Sequence, residues 1–358
     1  MNNVPTMMNP KLISSSLHQY IDRETASVQS EQLYGDQVVN YLYSAVREKA
    51  PILFKALTSS PISHLVGLWN YDVTFGPAFS GVASFCRKLG IDLSECVDNP
   101  ATFDSPRQVF ERKIRYWERR PMEPPASIVV SPADAKLLLG SLRTSSQLFL
   151  KGKFFDVYEL LGHEKASWHQ VFEDGDFAIF RLTPDEYHYN HAPVSGVVVD
   201  YYEVDGTYHS CNPGPIISLV TPYSKNKRVV TVIDTDVPGG TQAGLVAMIE
   251  IVALMIGAID QCYSEHFYDS PQKVGKGLFV KKGQPKSLYR PGSSTNVLLF
   301  QRGRVDFCQD LRLNQRRRDA VSRYSLGFGR PAVETAVKVR STIGQALSPT
   351  HDLENHGS

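Results

Sequence analysis

The chain has 358 residues, 42% of them apolar and 21% charged, the balance of a globular protein able to bury a sizeable core in one large domain or two small ones. Its 38 basic and 37 acidic residues leave a net charge of +1, which gives the surface no general attraction for nucleic acid, so an anionic partner must be met by a local cluster. Five cysteines, Cys86, Cys96, Cys211, Cys262 and Cys308, are scattered and never form CxxC, which argues against a disulfide framework or a zinc ribbon and for a reducing, cytoplasmic setting.

Taken in chain order, Met1 to Gln19 lacks the basic start and apolar run of a secretion signal. From Asp36 to Leu57 the spacing of Val38, Tyr41, Leu42, Ala45 and Val46 predicts an amphipathic helix that Pro51 breaks. Helical texture continues to about Trp117, and the charged, proline-rich stretch from Glu118 to Pro125 then marks a boundary. Strands are expected at Ser127–Val130, Phe177–Leu182, Gly196–Glu203, Arg228–Asp234, Leu245–Ile256, Gly277–Lys281 and Asn296–Phe300. Turns at Asp205-Gly206, Pro238-Gly239-Gly240 and Arg302-Gly303 join several of them. The most apolar stretch, Leu245 to Ile259, contains Glu250 and falls short of the ~20 residues needed to cross a bilayer.

These features predict an α+β fold: a mostly antiparallel β core, sandwich-like or barrel-like, under a helical N-terminal layer. The expected division is a helical region at residues 1–120, a β-rich catalytic core at 121–310 and a C-terminal extension at 311–358. That extension carries Arg316-Arg317-Arg318 and is expected to end in a disordered tail from about Ser348.

Three constellations could carry chemistry. His188 and His191 lie in Tyr187-His188-Tyr189-Asn190-His191-Ala192-Pro193 between two expected strands, where imidazoles could transfer protons near neutral pH. A zinc site is the competing functional reading, but no further His/Cys cluster with ligand spacing appears, so no metal is expected. Asp134 closes Ser131-Pro132-Ala133-Asp134 at a strand end, and Ser293 and Ser294 stand in Pro291-Gly292-Ser293-Ser294-Thr295 just before another strand. Each has a plain structural reading as a turn or a buried polar group. Together they suggest a Ser-His-Asp arrangement, which is recognised by role rather than by chain order, although the hydrolase signature GxSxG is absent.

In order and combination, from about Phe85 to Phe307, these segments resemble the phosphatidylserine decarboxylases. The resemblance rests on Ser131 to Asp134, Lys151-Gly152 leading to Leu160-Leu161-Gly162, Arg181 to Pro184 with Tyr187-His188 and His191 to Pro193, Asn226 to Val229, and Gly292 to Thr295 followed by Val297 to Phe300. It implies a proenzyme that cuts itself. Asp134 would orient His191, which removes the hydroxyl proton of Ser294, and the alkoxide would attack the preceding carbonyl. Acyl shift, β-elimination and hydrolysis would then leave a pyruvoyl cofactor on a small α chain, with residues 1 to about 293 as the β chain. The substrate amine would form a Schiff base with that pyruvoyl group, which serves as electron sink as carbon dioxide leaves, and His188 or His191 would protonate the product.

The sequence departs from the family at Ser293, where glycine is usual, so the bonds 292/293 and 293/294 are both candidates, with Ser294 favoured. It departs again at Ala135, where glycine is common, and at Tyr189-Asn190, where an arginine often follows the first histidine. Two substrates stay open: phosphatidylserine, giving phosphatidylethanolamine, or a soluble, aromatic amino acid. A non-catalytic β-rich binding protein of the same fold is the third reading. Ile62, Leu65, Trp69, Phe75 and Phe79, within Pro61–Phe85, offer groups for a peripheral membrane contact, though no basic cluster lies nearby. The partners expected are the lipid or amino acid substrate, the two processed chains and a homo-oligomeric copy.

Overall fold

The structure, a computed structural model, describes residues 17–31, 82–143, 156–207, 222–252, 258–291 and 294–347. The expected helix at Asp36–Leu57, most of the aromatic stretch at Pro61–Phe85, Lys151-Gly152, Cys211, Gly292, Ser293 and the tail from Ser348 lie outside them. Four cysteines, Cys86, Cys96, Cys262 and Cys308, carry free thiols, and among the described residues no helix is long and apolar enough to cross a membrane.

Sixteen strands are seen among the described residues. In chain order they are β1 (Gln19–Asp22), β2 (Val28–Ser30), β3 (Ile128–Val130), β4 (Ala135–Ser141), β5 (Asp176–Leu182), β6 (Tyr189–His191), β7 (Gly196–Val204) and β8 (Arg228–Asp234), then β9 (Leu245–Val252), β10 (Ile259–Gln261), β11 (Phe279–Val280), β12 (Pro285–Tyr289), β13 (Ser294–Phe300), β14 (Val305–Phe307), β15 (Glu334–Val337) and β16 (Thr342–Ala346). Ten form one sheet in the order β11-β7-β8-β9-β13-β5-β4-β15-β1-β2, and two three-stranded sheets run β10-β12-β6 and β14-β16-β3. Every pairing in the large sheet is antiparallel except β1 with β15. The sheet stays open, so of the two β architectures expected the closed barrel is excluded.

Period-2 alternation divides the large sheet into two faces. Leu298 and Phe300 of β13 point to one face, where they pack with Ala178, Phe180 and Met248 and with Val129, Phe307 and Ile343 of a small sheet. Val297 and Leu299 point to the other, where they meet helices α1 (Val157–Leu161) and α2 (Ala166–Phe172) through Leu160, Leu161 and Phe172. Both faces are therefore covered, which is why β13, β8 and β9 read as nearly continuous apolar runs. Each fully buried Leu, Val or Phe here stabilises the fold by roughly 1.5–3 kcal/mol relative to exposure.

The sheet recruits strands from all three regions expected from sequence. Gln19–Asp22, expected to be helical in texture, is a strand that pairs with Glu334–Val337 from the C-terminal region. A buried ion cluster ties these ends together. The Arg181 guanidinium on β5 reaches Glu31 through Nη1 (2.8 Å) and Nη2 (2.6 Å), and Glu334 on β15 through Nε (3.0 Å) and Nη2 (2.6 Å). His18 Nε2 lies 2.8 Å from Glu334 Oε2. Such a cluster specifies which segments meet more than it adds net stability, because desolvating the charges offsets much of their attraction.

Gly175 precedes β5 where a Cβ would lie 1.9 Å from the backbone carbonyl oxygen of Phe300, whereas a Cβ at Gly275 would meet nothing within 4 Å. Gly175→Ala should therefore lower stability by about 1–3 kcal/mol or more, and Gly275→Ala should stay within about 0.5 kcal/mol of the wild type; chemical denaturation of the two variants side by side checks this.

Candidate functional site

Ser294 is the first residue of β13 and stands opposite Leu182 at the end of β5 and Val252 at the end of β9. Alternation places its side chain on the face shared with Asn296 and Leu298, toward the sheet that holds β6 and β12. Contacts bear this out. Asn296 Nδ2 donates to Asn190 Oδ1 at 2.8 Å, which joins the residue two beyond Ser294 to the residue just before His191. Tyr289 bridges the same gap: its N–H donates to the His188 carbonyl at 3.1 Å and its hydroxyl to the Thr295 carbonyl at 2.9 Å. The strand carrying Ser294 and the segment carrying both histidines are thus sewn together across one interlayer.

The two histidines differ in what their nitrogens do. His191 Nδ1 lies 2.8 Å from the Gly283 carbonyl, so it must carry hydrogen there, and Nε2 lies 3.0 Å from the Tyr187 hydroxyl. Both sides of that ring are taken. His188 Nδ1 donates to the Glu186 carbonyl at 2.8 Å, which leaves Nε2 as a bare lone pair, buried without a partner among the described residues. The ring is held in place by stacking on Phe110, with centroids 3.5 Å apart and planes at 27°. Burial, reinforced by the Arg112 charge, pushes the His188 pKa down to about 3, and burial does the same for His191. Both imidazoles are therefore neutral across the physiological range.

Ser294 Oγ is likewise buried and without a hydrogen-bond partner among the described residues. A buried hydroxyl left unpaired costs about 1–3 kcal/mol, and such vacancies cluster where a group must be free to react.

The Asp134 charge acts on both histidines, but its carboxylate makes different contacts from those expected. The resemblance implied a bond from Asp134 to His191; in the structure its carboxylate takes the Arg120 guanidinium, at 3.0 Å from Nε and 2.8 Å from Nη2, and the Val339 N–H at 2.8 Å. Arg120 in turn grips Glu95 at 2.8 and 2.9 Å. The link to His191 runs through the backbone, where the His191 N–H donates to the Pro132 carbonyl at 2.8 Å. Burial alone would raise the Asp134 pKa, but Arg120, Lys338 and the Val339 N–H outweigh it and hold the value at about 2.

A second buried network explains the acid inside the apolar stretch. Glu250 on β9 pairs with Lys286 on β12 at 2.6 Å, both fully buried, and Glu250 also takes Asn190 Nδ2 at 3.2 Å, Gln261 Nε2 at 3.0 Å and the Ser287 hydroxyl. This network holds the small sheet at its place over β9 and β13.

Arg120 stands in the charged, proline-rich stretch, Asn296 at the start of an expected strand, and Phe110 and Tyr289 in no motif. No local signal marks any of them; each acts through a partner remote in the chain.

A family model described as phosphatidylserine decarboxylase matches residues 107–322, about three fifths of the chain. The chain is similar to a phosphatidylserine decarboxylase proenzyme of Fusobacterium nucleatum, 27% identical over 82% of this chain and 90% of that one. It is similar to another of Chlamydia trachomatis, 28% identical over 92% and 97%, and to proenzyme 3 of Schizosaccharomyces pombe, 26% identical over 94% of this chain and 32% of that longer one.

Because Asp134 is ionised at about pH 2 and above in the fold against about 4 when unfolded, its stabilisation is fully present above pH 4 and is lost as pH falls from about 4 to 2. Asp134→Asn should cost about 2 kcal/mol at pH 7, and the gap from wild type should narrow at pH 3; urea unfolding at both pH values reads it.

Proposed function

The chain belongs to the phosphatidylserine decarboxylase family, and from that membership we propose that it is a self-processing, pyruvoyl-dependent decarboxylase that converts phosphatidylserine to phosphatidylethanolamine and carbon dioxide. The observation that carries this reading is the pair of orphaned buried groups, Ser294 Oγ and His188 Nε2, on segments joined through Tyr289 and Asn296.

The residues fit the formation of a pyruvoyl group at this point. His188 Nε2 takes the Ser294 hydroxyl proton, and Oγ bonds to the carbonyl carbon of residue 293. The C–N bond then breaks as the proton passes from His188 to the departing nitrogen, and an ester remains. Loss of the Ser294 Cα proton with breakage of Cβ–Oγ frees the carboxylate of residue 293, and water displaces ammonia from residue 294. His188 rather than His191 is assigned the base, because the His191 lone pair already accepts from Tyr187. Asp134 acts as a positioning residue: with Arg120 it anchors the turn whose Pro132 carbonyl holds the His191 backbone.

Once formed, the pyruvoyl carbonyl supplies the electron sink for decarboxylation. His188 Nε2 is the group that holds and returns a proton at the carbon losing carbon dioxide. Burial of the interlayer keeps bulk water away from that carbon. The cut precedes a strand paired on both sides, so the chain from residue 294 stays bound through β5 and β9.

Intact-protein mass spectrometry tests the processing. Wild type should give a C-terminal fragment of residues 294–358 with a blocked amino end; Ser294→Ala should stay whole and Ser293→Ala should still be cut, whereas a wild type that remains a single species refutes the proposal.

Proton transfer from a positioned base contributes about 10²–10⁴-fold, so His188→Gln should slow self-cleavage by that order, while His191→Gln should slow it less than tenfold if the fold holds. A time course of cleavage in freshly synthesised protein separates the two, and the reverse ranking would return the base to His191. Release of carbon dioxide from phosphatidylserine vesicles against free aromatic amino acids identifies the substrate.

A further inference from the structure

The end of the large sheet remote from Ser294 holds a second feature. β15 pairs with β4 only as far as Leu137, so the stretch from Leu138 to Ser141 has no strand on that side. Gln315 takes the strand's place, its Oε1 accepting from the Leu139 N–H at 2.7 Å and its Nε2 donating to the Leu139 carbonyl at 2.9 Å. Beside this stretch lies a cavity of about 740 Å³.

Five arginines line it: Arg143 after β4, Arg312, Arg316 and Arg318 on and just after the helix Gln309–Gln315, and Arg330 before β15. Asp176 is the one carboxylate among its described lining residues; burial pushes its pKa up against the opposing pull of the Ser141 hydrogen bond, Arg143 and Arg312. Arg312 is paired with Asp306 at 2.6 Å. No carboxylate pairs with Arg143, Arg316, Arg318 or Arg330 among the described residues, whereas Arg120, Arg181, Arg290, Arg304 and Arg317 each hold one.

In a chain whose net charge is only +1, five guanidinium groups from three separate stretches around one concavity, set against Asp176, which interacts with Arg143 and Arg312, and against Asp306 on Arg312, are a concentrated positive field. Phe177 and Phe307 in the lining lower the local dielectric and strengthen that field. The planar fork of a guanidinium matches the oxygens of a phosphate in a bidentate manner.

We propose that this cavity is a binding site for a phosphate-bearing anion, separate from the reaction centre. β5 joins the two places: Leu182 stands opposite Ser294 and Asp176 lines the cavity, six residues or about 20 Å away along the strand. An anion bound here cannot touch Ser294 and is not the substrate in its reacting position. The proposal does not rest on the decarboxylase reading, since no residue is shared.

The test uses the full chain and the double variant Arg316→Ala/Arg330→Ala, whose side chains are not in the core, with thermal unfolding to confirm that the variant folds. Inorganic pyrophosphate is titrated by calorimetry at low and high salt, and flotation is measured with phosphatidylcholine vesicles with and without phosphatidic acid. Saturable pyrophosphate binding that salt weakens, and that the double variant weakens at least tenfold, is the expected result. Flotation with phosphatidic acid vesicles that the variant loses would identify a lipid headgroup as the source; pyrophosphate binding without flotation would identify a soluble phosphate. Absence of both saturable binding and variant-sensitive flotation, or binding unchanged in the folded double variant, would overturn the site.

Discussion

Strand β13 is hydrogen-bonded along its whole length to β5 on one side and β9 on the other, and it is buried on both faces. The candidate site depends on that constraint. A strand held by two neighbours cannot shift register without moving every side chain to the wrong face, so Ser294 is delivered to one point at the end of the interlayer. Under the proposed self-cleavage, the same pairing would keep the strand in place after a cut just ahead of it, because the ladder to β5 and β9 runs along its whole length.

The small sheet of β10, β12 and β6 is the second half of the arrangement. It would be an unstable three-stranded patch alone, and it carries Lys286, Asn190 and Ser287 into a fully buried position. Glu250 on the large sheet satisfies all three. A charge buried without its partner costs several kcal/mol, so a displaced small sheet would strand both Glu250 and Lys286. This polar lock fixes where the histidines lie relative to β13, and apolar packing alone, which is non-directional, would do so less strictly.

Inside that frame, division of labour between the histidines follows from hydrogen bonding. A neutral imidazole has one donor and one acceptor. In His191 the Gly283 carbonyl uses the donor and the Tyr187 hydroxyl fills the acceptor, whereas in His188 the Glu186 carbonyl uses the donor and the acceptor stays bare. Asp134, bound to Arg120, stabilises the turn beneath them instead of orienting either ring directly.

The antiparallel core and most of its central strands could be read from the chain, since apolar runs and turn dipeptides are local signals, and short motifs single out Asp134, His188, His191 and Ser294 as candidates. β8 was placed residue for residue, and β13 lacked only Ser294 and Thr295 at its start. Nine strands, β1, β2, β4, β6, β10, β12, β14, β15 and β16, were not among those expected; most are short and mixed in polarity, and some, such as β1 and β15, become strands through partners hundreds of residues away, as Tyr20 does with Glu334. The pairing of Asp134 with Arg120 and the choice between two histidines three residues apart likewise belong to the tertiary structure. Sequence spacing can say that a donor and an acceptor are present, but which of them are left unpaired depends on the carbonyls and hydroxyls that distant segments bring to each atom.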